Sequence, residues 1–340
     1  MGRRLALAGI VAGLGAFATV LGAAAGPPRL SFQVATGSTA GTYFPIGELI
    51  AGIVSHPPDL ARCEARGVCG PPGLIVSART SDGAVANVLA VNARLVDSGL
   101  AQSNVVADAL AGRGAFRERQ THIRVIANLF AETVQLVVTA KSHIAKVADL
   151  KAKRVSLGTD GSGASVVAHQ ILEAYRIPES RLKVRRLSYD QSASLLQQGK
   201  LDAFFFEGMA PAPLVADLLA HGTARLIPID GLARRRLLLR VPSLLADTIP
   251  ADAYPGSGRV QTVSSRTLWI VHDSEPPDIV YGILRALFHP ANRALLDAGD
   301  PAARHIRLDE AAGGLTAPLH PGAERFYREA GTLPKPALHK

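Results

Sequence analysis

Two glycine-rich loops, each set between an apolar strand-like run and an amphipathic stretch, constrain this chain more than any other feature. The first lies in SFQVATGSTAGTYFPIGELIAGIV, residues 31–54, and the second in KRVSLGTDGSGASVVAHQILEAYRI, residues 153–177. Phe32 and Val34 alternate before the first loop, and Ile46, Leu49, Ile50, Ile53 and Val54 then recur on one helical face. Val155 and Leu157 precede the second loop, and Val167, Ile171 and Tyr175 come after it at helical spacing. Each segment therefore reads as strand, glycine turn, helix. A helix N-terminus carries N–H groups without intrahelical partners and the positive end of the peptide dipoles. Glycine lets a ligand approach such backbone closely, and two such termini facing each other would hold a small anion from both sides. The candidate contacts are Gly37, Ser38, Thr39, Gly41, Thr42 and Tyr43 in the first loop, and Thr159, Gly161, Ser162, Gly163 and Ser165 in the second. The bland alternative for both is a tight strand-to-helix turn with a capping hydroxyl.

The beginning of the chain has a different character. Arg3 and Arg4 precede an alanine-rich apolar run, Leu5 to Leu21, and Ala23-Ala24-Ala25 has the small residues a signal peptidase requires. Residues 1–25 are expected to be a secretory signal peptide, with an uncleaved membrane anchor as the alternative. The remainder of the chain is long enough for two lobes of ordinary domain size. A hydrophobic fraction of 48% and a charged fraction of 19% fit a compact protein rather than a disordered one. The formal net charge of +9 suits an acidic ligand. The basic residues are scattered, so nucleic acid is not an expected partner; Arg234-Arg235-Arg236 is the one dense run and reads as a solvated turn or strand end. Cys63 and Cys69 form a close pair, which in an exported protein predicts a local disulfide pinning the proline- and glycine-rich loop 57–73. No two histidines stand three to five residues apart, so neither a metal site nor a cofactor is expected.

Strand and helix signals alternate through the rest, which predicts an α/β fold with largely parallel strands. Residues 74–78 read as a strand, and Thr80-Ser81-Asp82-Gly83 as the cap of a helix reaching Val96. Leu100 to Asn104 read as a strand entering a helix at 105–110. Two β-rich runs come next, 123–129 and 133–139. Beyond the second loop, Arg185 to Ser188 is strand-like, Asp190 caps a helix that Gly199 ends, and 201–206 is an apolar strand leading to Glu207. Helices are expected at 214–219 and 278–288, strands at 224–229 and 260–271, and a long loop at 249–258. Thr80 and Ser81 are either cleft hydroxyls or caps. Gln102 and Ser103 end a strand and are expected to contact ligand, and Glu207 would either accept from a ligand amine or line a hinge. Ser162 is not a nucleophile of the G-x-S-x-G kind, because Asp160 stands at the first glycine position.

These segments occur in an order that resembles the TAXI branch of TRAP-transporter solute receptors. The resemblance spans nearly the whole chain after residue 25 and rests on ATGSTAGTYFPIG, TSDGAVANV, AQSNVVADAL, IRVIANLFAETVQLVV, SHIAKVADLKAKRVSLGTDGSGAS, GKLDAFFFEGMAPAP, TIPADAYPG and APLHPGAERFYREAG. Asn104 departs from the aspartate usual in that branch, and Ala164 from the usual threonine. The resemblance implies a type II periplasmic binding-protein fold: two α/β lobes joined by two crossover strands, with a ligand cleft between them. It places lobe I at 29–131 and 265–322, lobe II at 132–264, and a C-terminal helix and tail at 323–340, with Glu132 to Thr139 and Val260 to Val271 as crossovers. It further implies a non-catalytic periplasmic receptor for a small organic anion, a dicarboxylate or an acidic amino acid such as glutamate, delivered to TRAP membrane subunits. The rivals are a ligand-sensing module and a periplasmic hydrolase. The hydrolase would need a serine–histidine–acid set, and no spacing supports one.

Overall fold

The computed structural model describes residues 30–333, so the signal-peptide segment and the last residues of the tail lie outside it. The strands are β1 Leu30–Ala35, β2 Leu74–Arg79, β3 Ser98–Gln102, β4 Ile123–Thr139, β5 Arg154–Ser156, β6 Lys183–Arg185, β7 Ala203–Gly208, β8 Ala224–Ile227, β9 Leu245–Ile249 and β10 Val260–His272. The helices are α1 Tyr43–Val54, α2 Ala84–Asn92, α3 Ser103–Ala111, α4 Gly163–Ala174, α5 Tyr189–Gln197, α6 Pro213–Ala220, α7 Gly231–Arg240, α8 Pro277–Leu287, α9 Arg293–Ala298, α10 Leu308–Ala311 and α11 Pro321–Glu329.

Two long strands organise everything else. The sheet runs β2-β1-β3-β10-β4-β7-β5-β6, with β8 on β4 and β9 on β10. β4 pairs with β10 from Ile123 to Thr133, then turns to β7 and β8 from Thr133 onwards. β10 pairs with β9 up to Ser264 and with β3 from Thr267. Each of these strands thus belongs to two neighbourhoods, and both pass from one to the other near Ser264–Thr133. The expected break between 129 and 133 does not exist: β4 is continuous over 17 residues. Glu132 interrupts the apolar pattern in sequence, but its backbone stays in the ladder opposite Ser265.

The apolar residues divide along the same line. Two clusters draw on residues 32–130 and 268–327, and two others on residues 134–263. Strand alternation sends neighbours to opposite faces. Trp269 and Val271 enter the cluster under α1, α8 and α11, while Leu268 and Ile270 enter the one under α2 and α3. In the second half Phe205 packs with α4, and Phe204 and Phe206 pack with α5 and α6. We call the halves lobe I and lobe II. Within each lobe the strands that lead into glycine loops lie parallel to their neighbours, β1 with β2 and β3, β5 with β6 and β7. β4 and β10 run antiparallel to their neighbours, so the sheet is mixed rather than largely parallel.

Three local expectations need correction. Ser188, not Asp190, caps α5: its hydroxyl accepts from the Gln191 N–H and the Gln191 side chain returns to the Ser188 N–H, a reciprocal capping box. Gly199 does come after the helix in the left-handed region at φ +68°. The Arg234–Arg236 run lies within α7, and Arg236 donates twice to the Ala174 carbonyl at the C-terminal end of α4, where a cation opposes the helix dipole favourably. β9 has no counterpart among the expected strands because LADTI is short and only weakly apolar.

The loop between α1 and β2 is tied at both ends. Cys63 and Cys69 are joined in a disulfide, and Arg62 donates to the carbonyls of Gly52 and Ile53 at the end of α1. Closing so short a loop restricts the unfolded chain by about 2 kcal/mol in the chain-entropy account. Replacing both cysteines with serine is expected to lower unfolding free energy by about that amount in urea titration, and thiol titration of the denatured, unreduced wild type is expected to find no reactive thiol.

Candidate functional site

Four helix N-termini converge on one cavity of about 100 Å³ between the lobes. Thr42 and Tyr43 open α1, Gly83 and Ala84 open α2, Ser162 and Gly163 open α4, and Ser188 and Tyr189 open α5; all eight line it. Two of these helices belong to lobe I and two to lobe II. Each starts just beyond the carboxyl end of a strand, the position at which open α/β sheets hold ligands. Of the residues singled out in sequence, Gly37, Ser38, Gly41, Thr42, Tyr43, Ser81, Gln102, Thr159, Ser162, Gly163 and Glu207 line the cavity. Thr39, Thr80, Ser103, Gly161 and Ser165 do not.

The absences have physical reasons. Thr39 and Thr80 are exposed. Ser103 ties the lobes together, donating to the Ser243 carbonyl and accepting from the Arg266 N–H. Ser165 is turned toward a separate interlobe groove. Gly161 acts as a latch: its carbonyl accepts from the N–H groups of Val85 and Ala86 in the first turn of α2. That bond from the opposite lobe replaces the side-chain cap expected from Thr80-Ser81. The Ser81 hydroxyl instead contacts the Thr36 carbonyl and Asn87 and accepts from the Gly83 N–H.

Further bonds cross the cleft. Thr159 donates to the Asp82 carbonyl, Asn104 to Gln170, and the Met209 N–H to the Thr42 hydroxyl. Asn104, where the sequence departs from its resemblance, thus meets a helix of the other lobe. The glycines of the loops serve the same contacts. A Cβ on Gly161 would stand 2.7 Å from the Asp82 Cβ, and one on Gly208 would stand 2.7 Å from the Thr42 hydroxyl. Gly83 has φ +117° and faces the Ser162 Cα, and a Cβ on Gly163 would overlap the Gln102 carboxamide. The lobes therefore meet across the cleft where side chains are missing.

The chemical character of the cavity comes from two carboxyl groups. Glu132 on β4 and Glu207 at the end of β7 both line it, at 1% and 2% exposure. Tyr43 donates to Glu132 at 2.7 Å, and Ser265 donates to Glu207 at 2.7 Å. The second oxygen of Glu207 has no partner, nor has the Gln102 side-chain oxygen. Burial pushes the Glu132 carboxyl up to about 7, against the pull of its hydrogen bond from Tyr43. Burial, and then the charge of Glu132, hold Glu207 well above the usual carboxylate range. The lining contains no lysine, arginine or histidine. Sequence reasoning assigns Glu132 no role beyond starting a crossover. It misses Asp82, Gly83, Ala84, Gly158, Leu187, Ser188 and Tyr189 as lining residues altogether. One signal exists for Glu132, an acid in the middle of an otherwise apolar strand, since buried acids are rarely there without purpose.

Comparison with known proteins places the chain. A model of the NMT1-like family matches residues 34–331. The chain belongs to the NMT1-like family. Among solved structures, MatC from Rhodopseudomonas palustris with bound malate is similar at a TM-score of 0.54 and 14% identity, covering 89% of this chain and 98% of that one. The alkanesulfonate-binding protein SsuA from Xanthomonas axonopodis pv. citri, bound to MOPS, is similar at a TM-score of 0.46 and 16% identity, covering 91% of this chain and 86% of that one. This NMT1-like protein has the two-lobed type II periplasmic binding-protein fold, with β4 and β10 as the crossovers.

Two outcomes are expected from the site. The Ser162 hydroxyl accepts from the Ser165 N–H and donates to the Thr159 carbonyl, so it caps α4 with no donor left for a ligand. Ser162→Ala is expected to cost about 1 kcal/mol of folding stability in denaturant titration, with a smaller effect on affinity. The second concerns pH. A carboxyl whose folded value is raised contributes stability below its unfolded value and loses it as pH rises through the folded one. The ligand-free protein is therefore expected to lose stability as pH rises from the ordinary glutamate value of 4.5 toward about 7, and Glu132→Gln is expected to flatten that slope in melting temperature against pH.

Proposed function

We propose that this NMT1-like protein is a non-catalytic periplasmic receptor that closes on a small organic acid and delivers it to membrane permease subunits. The observation that carries this reading is the convergence of four helix N-termini, two from each lobe, on a buried interlobe cavity. The first-turn N–H groups of Gly163 and Ala164 have no intrahelical acceptors, and together with the starts of α1 and α5 they would hold the acid group of the solute. Ligand bridging both lobes favours the closed form because that form alone makes both sets of contacts. A dicarboxylate or an acidic amino acid such as glutamate suits the cavity size and the helix ends. MatC, solved with malate, shares the fold. The TAXI-like segments motivate TRAP subunits as the membrane partner, and the apolar start of the chain motivates export to the periplasm.

Catalysis is the weaker reading. The cavity lining holds serine and threonine hydroxyls but no histidine, lysine or cysteine to activate one. Two carboxyl groups would have to act without an adjacent cation or a nucleophile positioned between them.

The expected behaviour is hinge closure with the solute left intact. Small-angle scattering should show a smaller radius of gyration when a bound organic acid is added, and mass analysis should recover that acid unchanged. Gly161→Trp is expected to block closure, because even a Cβ there meets Asp82 and Ala86, while circular dichroism shows both lobes folded. Turnover of the acid would support the hydrolase, and an unchanged scattering curve at saturation would remove the hinge.

A further inference from the structure

The starts of α1, α4 and α5 account for an acid group on the solute; they do not account for Glu132 and Glu207. Both carboxyl groups are almost wholly buried, both line the cavity, and neither is near a cation among the lining residues. The groups facing them come from every element around the floor. Tyr43 faces Glu132 from α1, Tyr189 contacts the Glu207 backbone from α5, Ser265 and Thr267 project from β10, and Gln102 from β3. All are neutral, and Asp82 at the cavity wall adds a third acid. A buried carboxylate without a counter-charge is costly, and two side by side are costlier. A strand interior would tolerate them better as glutamines. Two such acids facing one cavity suit an occupant that pairs with them.

The unsatisfied atoms say what kind. The free oxygen of Glu207 and the side-chain oxygen of Gln102 are acceptors waiting for donors. The Tyr43 and Ser265 hydroxyls already donate to the pair, one to each carboxyl. A second carboxylate of the solute would be repelled here, and an alkyl group would leave the acceptors unpaired. An ammonium group offers three donors and a positive charge. We infer that the Glu132–Glu207 pair is a subsite for a protonated amine, so that the solute carries an ammonium group as well as an acid group. This deepens the receptor reading above and rests on it. It also chooses between the two solute classes named there: an amino acid fits both halves of the cavity, whereas a simple dicarboxylate fits one. Burial raises both carboxyls above the usual carboxylate range in the empty protein, and an ammonium beside them would lower both, so its binding is expected to release protons.

Calorimetry of the full mature chain with matched acids tests the inference. The probes are L-glutamate against glutarate, L-aspartate against succinate, and other common amino acids against their deaminated counterparts, with putrescine and calcium chloride as cation controls. The expected result is binding of an amino acid at least tenfold tighter than its deaminated partner. Glu207→Gln should bring the two within about threefold. In wild type, titrations in buffers of different ionisation enthalpy should show proton release with the amino acid and not with the deaminated acid. That second readout needs no variant, so a folding defect in Glu207→Gln leaves the inference testable. Deaminated acids binding as tightly as their amino partners would overturn the amine subsite and leave the acid receptor standing. Putrescine binding without any acid would support the subsite and overturn the acid receptor. Calcium binding that excludes the amines would overturn the subsite in favour of a metal, and no binding by any probe at millimolar concentration would overturn both readings.

Discussion

A pair of carboxyl groups buried without a cation, at the place where the chain crosses between lobes, is the interaction on which the rest of this structure turns. Glu132 sits on β4 at its crossing and pairs in register with Ser265 on β10 at the other crossing. Glu207 is next to last in β7 and lies opposite Val134 of β4, two residues beyond Glu132. Charge, hinge and cavity therefore share a few residues. In the proposed receptor, a solute that changes the charge state of the pair would act directly on the two crossover strands, without a relay through the cores. The cores themselves are divided by lobe, so each lobe would keep its packing if the crossovers flexed.

Closure has its own requirement, namely backbone meeting backbone. Gly161, Gly163, Gly83 and Gly208 each stand where the opposite lobe approaches too near for a side chain. The Gly161 carbonyl also supplies the first turn of α2 with the acceptor that a capping side chain would otherwise provide. In the open form that the receptor proposal implies, those N–H groups would turn to water. Glycine loops at helix starts are usually explained by a ligand's close approach; here part of the demand comes from the second lobe. At Gly83 and Gly163 the two demands coincide, since each lines the cavity and also meets the opposite lobe, whereas Gly161 meets the lobe alone.

Much of the architecture is legible in the sequence because it depends on local pattern. Both strand–loop–helix units, the apolar β7 and the amphipathic α8 can be read from periodicity within a dozen residues. β9 and α7 are not legible, since LADTI is weakly apolar and the arginine run of α7 masks a helix whose inward residues are Ala233 and Leu237. The continuity of β4 through Glu132 is hidden because an acid normally ends an apolar run, and only the long-range pairing with β10 keeps it in the sheet. The site divides the same way. Loop residues can be found from their own motif, whereas Asp82, Tyr189 and the role of Glu132 depend on elements far apart in the chain. Gly161 looks like a ligand contact in sequence because its carbonyl's partners, Val85 and Ala86, belong to the other lobe.

The central claim is that one small solute occupies the interlobe cavity with its acid group at the helix starts and its amine on the carboxyl pair. A crystal structure of the protein, grown with the tightest-binding amino acid of the calorimetric panel, tests this most directly. The expected result is density in contact with both lobes, a carboxylate at the N-terminal ends of α1 and α4, and a nitrogen within hydrogen-bonding distance of Glu207 and Glu132. Density outside this cavity, or a solute whose carboxylate lies against Glu207, would contradict it.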